Sequence, residues 1–303
     1  MALRDVVAIF GPTASGKSAV AEALADRVGG ELVSADSMQV YRGLPILTNQ
    51  PERPTRLVGI WPLEFEASVG EYQHLAHAAI DEVLAAERRP VVVGGTGLYL
   101  RAALAELELP PPPEPGRREH WERLYDRVGG GRAHALLGAR DPVAAEAVHA
   151  NDRRRVVRAL ELVEVGRSLR PADDRLWAGA TRHPTLVFGL ELQAEELDRR
   201  IGERTQAMFE RGVEAEVRAA LEGPLSPTAR QVLGLREIAE LSRAEAVAEI
   251  VRRTRRYARY QRKWMRRILG VVMVAADRPA EETADAILEV ARARQHVPAR
   301  RAG

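Results

Sequence analysis

The chain has 303 residues, 46% hydrophobic and 29% charged, with a formal net charge of +2 at pH 7. These proportions suit a folded globular protein and exclude wholesale disorder. The absence of cysteine excludes a disulfide framework and a thiolate metal site, and no apolar run is long enough to span a membrane.

The segment "DVVAIF" (5–10) reads as a buried strand, so close to Met1 that no signal peptide is expected and a cytoplasmic location is the expectation. "SAVAEALADRV" (18–28) is a helix that Gly29-Gly30 ends. "ELVSAD" (31–36) is a second strand, "YQHLAHAAIDEVLAAERR" (72–89) a helix, and "PVVVGG" (90–95) a third strand leading through "TGLYLRAAL" (96–104) into another helix. Strands alternating with helices predict an α/β fold with a parallel sheet flanked by helices, whose ligands gather beyond the carboxyl ends of the strands. "LPPPPEPG" (109–116) is a stiff connector, because proline suits neither a helix interior nor a central strand. Helical sequence follows to about 170, and "HPTLVFGLEL" (183–192) restores strand character. The expectation is a core of residues 1–111 and 184–303 with a helical insertion domain at 112–183. Leu197, Ile201, Met208, Val213 and Val217 form an apolar stripe that predicts one long helix, broken by "LEGPLSP" (221–227). A basic helix at about 244–268, a strand in "GVVMVAAD" (270–277), a last helix and a frayed tail (293–303) complete the reading.

Gly11-Pro12-Thr13-Ala14-Ser15-Gly16-Lys17-Ser18 has the spacing of a phosphate-binding loop between a strand and a helix. Its glycines let backbone N–H groups converge on phosphate oxygens, and the helix N-terminus adds positive potential. Lys17, one of only two lysines with Lys263, supplies a mobile charge, and the Ser18 hydroxyl can ligate Mg²⁺. The loop alone admits nucleotide binding, ATP included. However, no guanine-reading N-K-x-D motif follows, and the run before Asp36 is short for a Walker-B strand.

Two further strand ends carry chemistry. Asp36 could cap the next segment, ligate a metal, or act as a general base. Thr96, between glycines, could cap the following helix or donate its hydroxyl into a pocket. If the strands are neighbours, a cation, a carboxylate and a hydroxyl meet in one cavity.

"VRRTRRYARYQRKWMRR" (251–267) holds nine basic residues and no acid. Arg252, Arg255, Arg259, Arg262 and Arg266 share one side of a helix, and Tyr257, Tyr260 and Trp264 form a second stripe expected to pack inward. With "NDRRRVVRALE" (151–161), this favours a polyanionic partner over a solvated charged face.

These segments together resemble the tRNA dimethylallyltransferases. "GPTASGKS", "SADSMQVYRG", "VVVGGTGLYLRAAL", "NDRRRVVRALELVEVGRS" and "TRRYARYQRKWMRR" stand in that family's order and approximate spacing, over about residues 6–275. The resemblance implies a phosphate-loop NTPase-like fold and a transferase that moves a dimethylallyl group from dimethylallyl diphosphate to N6 of the adenosine 3′-adjacent to the tRNA anticodon. It implies that Asp36 takes the proton and that Thr96 bonds the bridging oxygen. Lys17, Arg255, the loop amides and Mg²⁺ on Ser18 would hold the departing diphosphate. It places Asp36, Ser37, Met38, Gln39, Arg154, Arg155, Val156, Val157, Arg158, Gln231, Gly234 and Arg236 against the anticodon stem-loop, in a protein expected to be monomeric and free of membrane. The chain departs from the family pattern at "LPILTNQP" (44–51), usually close to "MDIGTAKP"; at Thr55-Arg56, usually a histidine pair; and at Leu235, usually aromatic. A prenyltransferase of free adenine mononucleotides, a small-molecule kinase and a non-catalytic nucleic-acid binder remain the alternatives.

Overall fold

The computed structural model describes residues 6–109, 116–170, 176 and 179–295. Five parallel strands, β1 (Val6–Phe10), β2 (Gly30–Ser34), β3 (Arg89–Gly94), β4 (Thr185–Glu191) and β5 (Val272–Ala275), form one sheet in the order β2-β3-β1-β4-β5. The helices in chain order are α1 (Lys17–Val28), α2 (Val69–Ala85), α3 (Gly97–Leu104), α4 (Arg117–Val128), α5 (Gly130–Arg140), α6 (Pro142–Ala147) and α7 (Arg153–Glu164). They continue with α8 (Ala194–Glu210), α9 (Val213–Leu221), α10 (Leu235–Glu240), α11 (Arg243–Met265) and α12 (Ala280–Gln295).

The α/β class expected from the sequence is the one observed. All residues of β1 and β3 are buried, as parallel strands covered on both faces require, so they read as continuous apolar runs. Val7, Ile9, Val91, Val93, Phe188 and Leu190 share one core with Leu24 of α1 and Ile287 of α12. Side chains alternate along a strand, so Val92 and Gly189 fall on the opposite face. There a Cβ on Gly189 would meet the sulfurs of Met265 and Met273.

Residues 1–107 with 179–303 make one compact unit and 108–178 a second, with boundaries a few residues earlier at each end than the sequence reading. Leu107 is tied to the core by Gln73, whose amide bonds its carbonyl at 3.1 Å and its N–H at 3.3 Å. On the return, Arg182 N–H donates to Leu104 O, and Arg182 and His183 both reach the Asp81 carboxylate. The prolines of the expected connector at 110–113 and the tail beyond 295 lie outside the described residues.

The second unit contains α4–α7 around Trp121, Leu137, Val156, Val157 and Leu160. Asp141 and Asp152 cap α6 and α7 by accepting the Ala144 and Arg155 amides. Buried Glu161 is neutralised by Arg118 at 3.2 Å and Arg158 at 2.9 Å.

Two expectations are corrected in the first unit. The stripe from Leu197 to Val217 belongs to two helices, because the chain turns through left-handed backbone at Gly212 (φ 88°) between α8 and α9. The aromatic stripe of α11 packs inward only in part: Tyr257 reaches Thr96 and the Trp264 ring lies against Gly97 of α3. Tyr260 is 55% exposed, and the fully buried face of α11 is Ala246, Ile250, Thr254, Ala258, Gln261 and Met265. Gly97 leaves the room for the Trp264 ring, since a Cβ there would stand 2.2 Å from a ring carbon.

The departures from the family pattern find local roles. Arg56 bridges Glu31 and Glu82 at 2.7 and 2.6 Å, and its backbone pairs alongside β2. Ile46 and Leu47 donate their amides to the Glu216 carboxylate at 2.7 and 2.8 Å, and Gln50 donates to Tyr41 O at 2.7 Å. Leu235 is buried.

Candidate active site

β2, β3 and β1 are adjacent and parallel, so the loops that follow them gather at the carboxyl end of the sheet. The loops are laced by backbone bonds. Ala35 N–H donates to Val93 O at 2.7 Å and Gly11 N–H to Gly94 O at 3.4 Å. Gly94 is required there, since a Cβ would stand 2.1 Å from the Ala35 carbonyl oxygen. Gly94→Ala should therefore fail to give a natively folded protein, read as loss of the soluble fraction and of a cooperative thermal transition.

The loop after β1 turns through positive φ at Ala14 (68°) and Gly16 (83°) before α1 begins at Lys17. Gly11, Thr13 and Ser15 spend their amides inside the protein, on Gly94 O, Gln261 Oε1 and Pro12 O. The amides of Ala14, Gly16, Lys17 and Ser18 have no partner among the described residues, which leaves four donors converging at a helix N-terminus. Pro12 and Ser15 are buried beneath the loop, and Ser15 Oγ has no hydrogen-bond partner.

A cleft of about 500 Å³ opens over this loop. Thr13, Ala14, Gly16, Lys17, Ser18, Asp36, Met38, Gln39, Arg204 and Tyr257 line it, with Leu47, Met208, Leu233 and Ile250 as an apolar wall. Lys17 and Arg204 are only partly exposed, and protein atoms enclose their charged ends. Burial pulls the Lys17 pKa down to about 8, with Asp36 opposing and Arg204 adding to the fall. Burial also lowers Arg204, again against Asp36. Arg204 has no ion pair or hydrogen bond among the described residues. Two cations that repel each other around one carboxylate form a site with a surplus of positive charge, suited to a polyanion.

Asp36 accepts the Met38 amide at 3.0 Å through Oδ1 and lines the cleft, so it serves the local turn with one oxygen and has a second still without a partner. Thr96 is the N-cap of α3, yet its hydroxyl makes no capping bond. Instead Thr96 Oγ1 accepts from Ser37 N–H at 3.3 Å and lies 3.2 Å from Ser37 Oγ and 3.3 Å from Tyr257 Oη. Asp36 and Thr96 are thus joined through the residue between Asp36 and Met38. Ser18 and Asp36 line the cleft together. No cluster of three His, Cys, Asp or Glu exists among the described residues. That donor set fits an ion such as Mg²⁺, which takes one or two protein oxygens and completes its shell with phosphate and water.

Arg255 is not among the residues that line the cleft; its Nε stands 3.4 Å from Asp198 and is buried without a hydrogen bond. The arginine that the sequence reading missed is Arg204, set one turn beyond Arg200 on α8. Its signal was available, since Arg204 falls on the apolar stripe of α8, three residues after Ile201 and four before Met208.

A second cavity of about 760 Å³ is lined by Gln231, Arg236, Arg252, Arg253, Arg256, Tyr257 and Tyr260. It shares Met38, Leu233 and Tyr257 with the first. Gly234, at φ 100°, caps α10 beside it, with its N–H held by Glu237. In the second unit Arg154 and Arg155 are exposed and Arg158 is half-buried on Glu161. Val156 and Val157, placed against tRNA in the sequence reading, are buried at 0% and 3% exposure and belong to the core. A helix presents consecutive residues to different sides, so a continuous five-residue contact was never available to it. The basic run of α11 is also partly neutralised: Arg252 pairs with Glu249, Arg253 with Glu237 and Arg255 with Asp198. Arg256, Arg259, Arg262, Lys263 and Arg266 have no ion pair among the described residues.

No described helix is long and apolar enough to cross a membrane. The chain matches known proteins over most of its length. The family model described as IPP transferase matches residues 39–268, and one described as isopentenyl transferase matches residues 4–55. The chain is 42% identical over 275 residues to the tRNA dimethylallyltransferase of Streptomyces coelicolor, covering 86% of this chain and 87% of that one. It is 40% identical to that of Acidothermus cellulolyticus, covering 96% and 93%. Among solved structures, the full-length tRNA isopentenylpyrophosphate transferase of Bacillus halodurans has a TM-score of 0.68 at 30% identity, covering 97% of this chain and all of that one. A eukaryotic dimethylallyltransferase acting on tRNA has a TM-score of 0.74 at 25% identity, covering 99% and 82%. With a family model spanning most of its length and relatives of this identity over nearly the whole of it, the chain belongs to the tRNA dimethylallyltransferase family.

Proposed function

We propose that the protein transfers a dimethylallyl group from dimethylallyl diphosphate to N6 of the adenosine 3′-adjacent to the anticodon in tRNA and releases diphosphate. The observation that carries this reading is the cleft on which Asp36, Lys17 and the phosphate loop converge opposite an apolar wall, with Thr96 held against Ser37 beside Asp36. N6 attacks C1 of the donor, the C1–O bond breaks, its electron pair leaves with diphosphate, and the N6 proton passes to Asp36. An exocyclic aromatic amine is a poor nucleophile because its lone pair is delocalised, so proton removal as the bond forms is essential.

Negative charge grows on the departing oxygens. Lys17, Arg204 and the free amides of the loop face that charge, and the Thr96 hydroxyl donates to the bridging oxygen. Mg²⁺, held by Ser18 with phosphate oxygens, would supply further charge neutralisation. The apolar wall of Leu47, Met208, Leu233 and Ile250 takes the prenyl tail. The second cavity and the unpaired cations of α11 support entry of the anticodon loop with its target base extruded, and exposed Arg154 and Arg155 would add phosphate contacts. A monomer acting in the cytoplasm is part of the same reading. Free mononucleotides or a kinase acceptor fit less well, because neither has use for these basic surfaces.

Incubation with labelled dimethylallyl diphosphate, Mg²⁺ and tRNA, followed by digestion and mass analysis, should give prenylated adenosine. AMP in excess should not compete. Label on AMP in preference to tRNA, or none on RNA, overturns the proposal.

A further inference from the structure

We propose that Tyr257 is a positioning residue of the transfer: its hydroxyl donates to Thr96 and so commits the single Thr96 proton to the leaving-group oxygen. The proposal rests on the prenyl transfer set out above. Neither Tyr257 nor Gln261 has a part in that scheme, yet the two lie one turn apart on the face of α11 that covers the site.

The argument is one of donor and acceptor capacity. Thr13 N–H donates to Gln261 Oε1 at 2.8 Å, and an amide N–H can only donate. This fixes the orientation of the Gln261 side chain, so that its Nε2 donates to Gly95 O at 2.8 Å. Gln261 is 1% exposed and cannot turn over without orphaning both groups. Of the two hydroxyls that meet, the phenol is far more acidic than the threonine alcohol, which makes it the stronger donor and the weaker acceptor. The Tyr257 phenol proton therefore goes to Thr96 Oγ1, 3.3 Å away.

Thr96 has one proton and two lone pairs. Ser37 N–H fills one lone pair and Tyr257 fills the other. The Thr96 hydroxyl is left able only to donate, to Ser37 Oγ at 3.2 Å in the free protein or to a substrate oxygen in the cleft. Burial, and next the charge of Asp36, push the Tyr257 phenol well above its usual range, so it keeps its proton throughout the working pH range. The contacts of 3.2–3.3 Å are at the long end for hydroxyls, as catalytic contacts are before substrate binds. Gln261 separately brackets the phosphate loop to the strand end that carries Thr96. Gly95 belongs to the same bracket, since a Cβ there would stand 2.3 Å from Gln261 Nε2.

The test is Tyr257→Phe, alone and combined with Thr96→Ala. Phe keeps the ring and removes only the hydroxyl. The expected result is a fall of about tenfold in kcat, with KM for tRNA and for donor unchanged and an unaltered melting transition. In the Thr96→Ala background the same change should cost nothing more, because the hydroxyl through which it acts is gone. An undiminished kcat in Tyr257→Phe, a loss confined to KM, or a full additional loss in the double variant overturns the proposal. A parent enzyme that makes no prenylated tRNA in the same assay overturns the function reading and this proposal together.

Discussion

Asp36→Asn should lower kcat by about 100- to 10,000-fold, the range for losing a positioned general base. Asparagine has nearly the same shape and can still accept the Met38 amide that Asp36 accepts at 3.0 Å. The turn after β2 should therefore persist, and the variant should melt like the parent. What it loses is the ability to take a proton from N6 as the new bond forms. It also loses the negative charge that offsets Lys17 and Arg204, so binding of diphosphate should hold or tighten while turnover collapses. Single-turnover rates with saturating donor and tRNA separate these effects. Turnover within a few-fold of the parent would remove Asp36 from the chemistry.

Arg204→Ala should cost about 100- to 1,000-fold in turnover, as does removal of one preorganised group that faces developing charge. Arg204 lies in the cleft without a partner among the described residues, held partly desolvated beside a second cation. A charge kept in that way is destabilising until an anion arrives, so its interaction is greatest when the diphosphate departs. Arg204→Lys should recover part of the loss, because a point charge remains but the planar fork is absent. Arg255→Ala is the informative contrast. That side chain faces Asp198 at 3.4 Å, outside the cleft lining, and is 40% exposed, so its removal should be much milder. The reverse ranking, measured as kcat and donor KM for the two alanine variants, would assign the leaving-group role to α11 in place of α8.

Motifs that close on themselves within a few residues are legible in the amino-acid sequence. The phosphate loop is one, because its spacing, glycines and flanking strand and helix all serve one local turn. The ends of α1 and α11 are others, marked by Gly29 and by the Ser242–Glu245 capping box. The start of α2 carries the same signal, Ser68 followed by Glu71, although the apolar period alone begins the helix only at Tyr72. A glycine within a periodic stripe is harder to read. Gly212 breaks α8 from α9 without disturbing the spacing of Leu197, Ile201, Val213 and Val217, since a single left-handed residue can leave both apolar faces on one core.

The sequence by itself determined the class of fold, the phosphate cradle, and the presence of Asp36 and Thr96 at strand ends, because each depends on backbone conformations and periodicities set by near neighbours. Tertiary structure alone decided that those strand ends are adjacent, that Arg204 and not Arg255 lines the cleft, and that Val156 and Val157 are core. It also decided that Gln261 ties the phosphate loop to Gly95 and that Tyr257 reaches Thr96, some 160 to 250 residues from their partners. Which partner a buried polar or charged group finds depends on the packing of distant elements, and the spacing of residues along the chain carries no record of that choice.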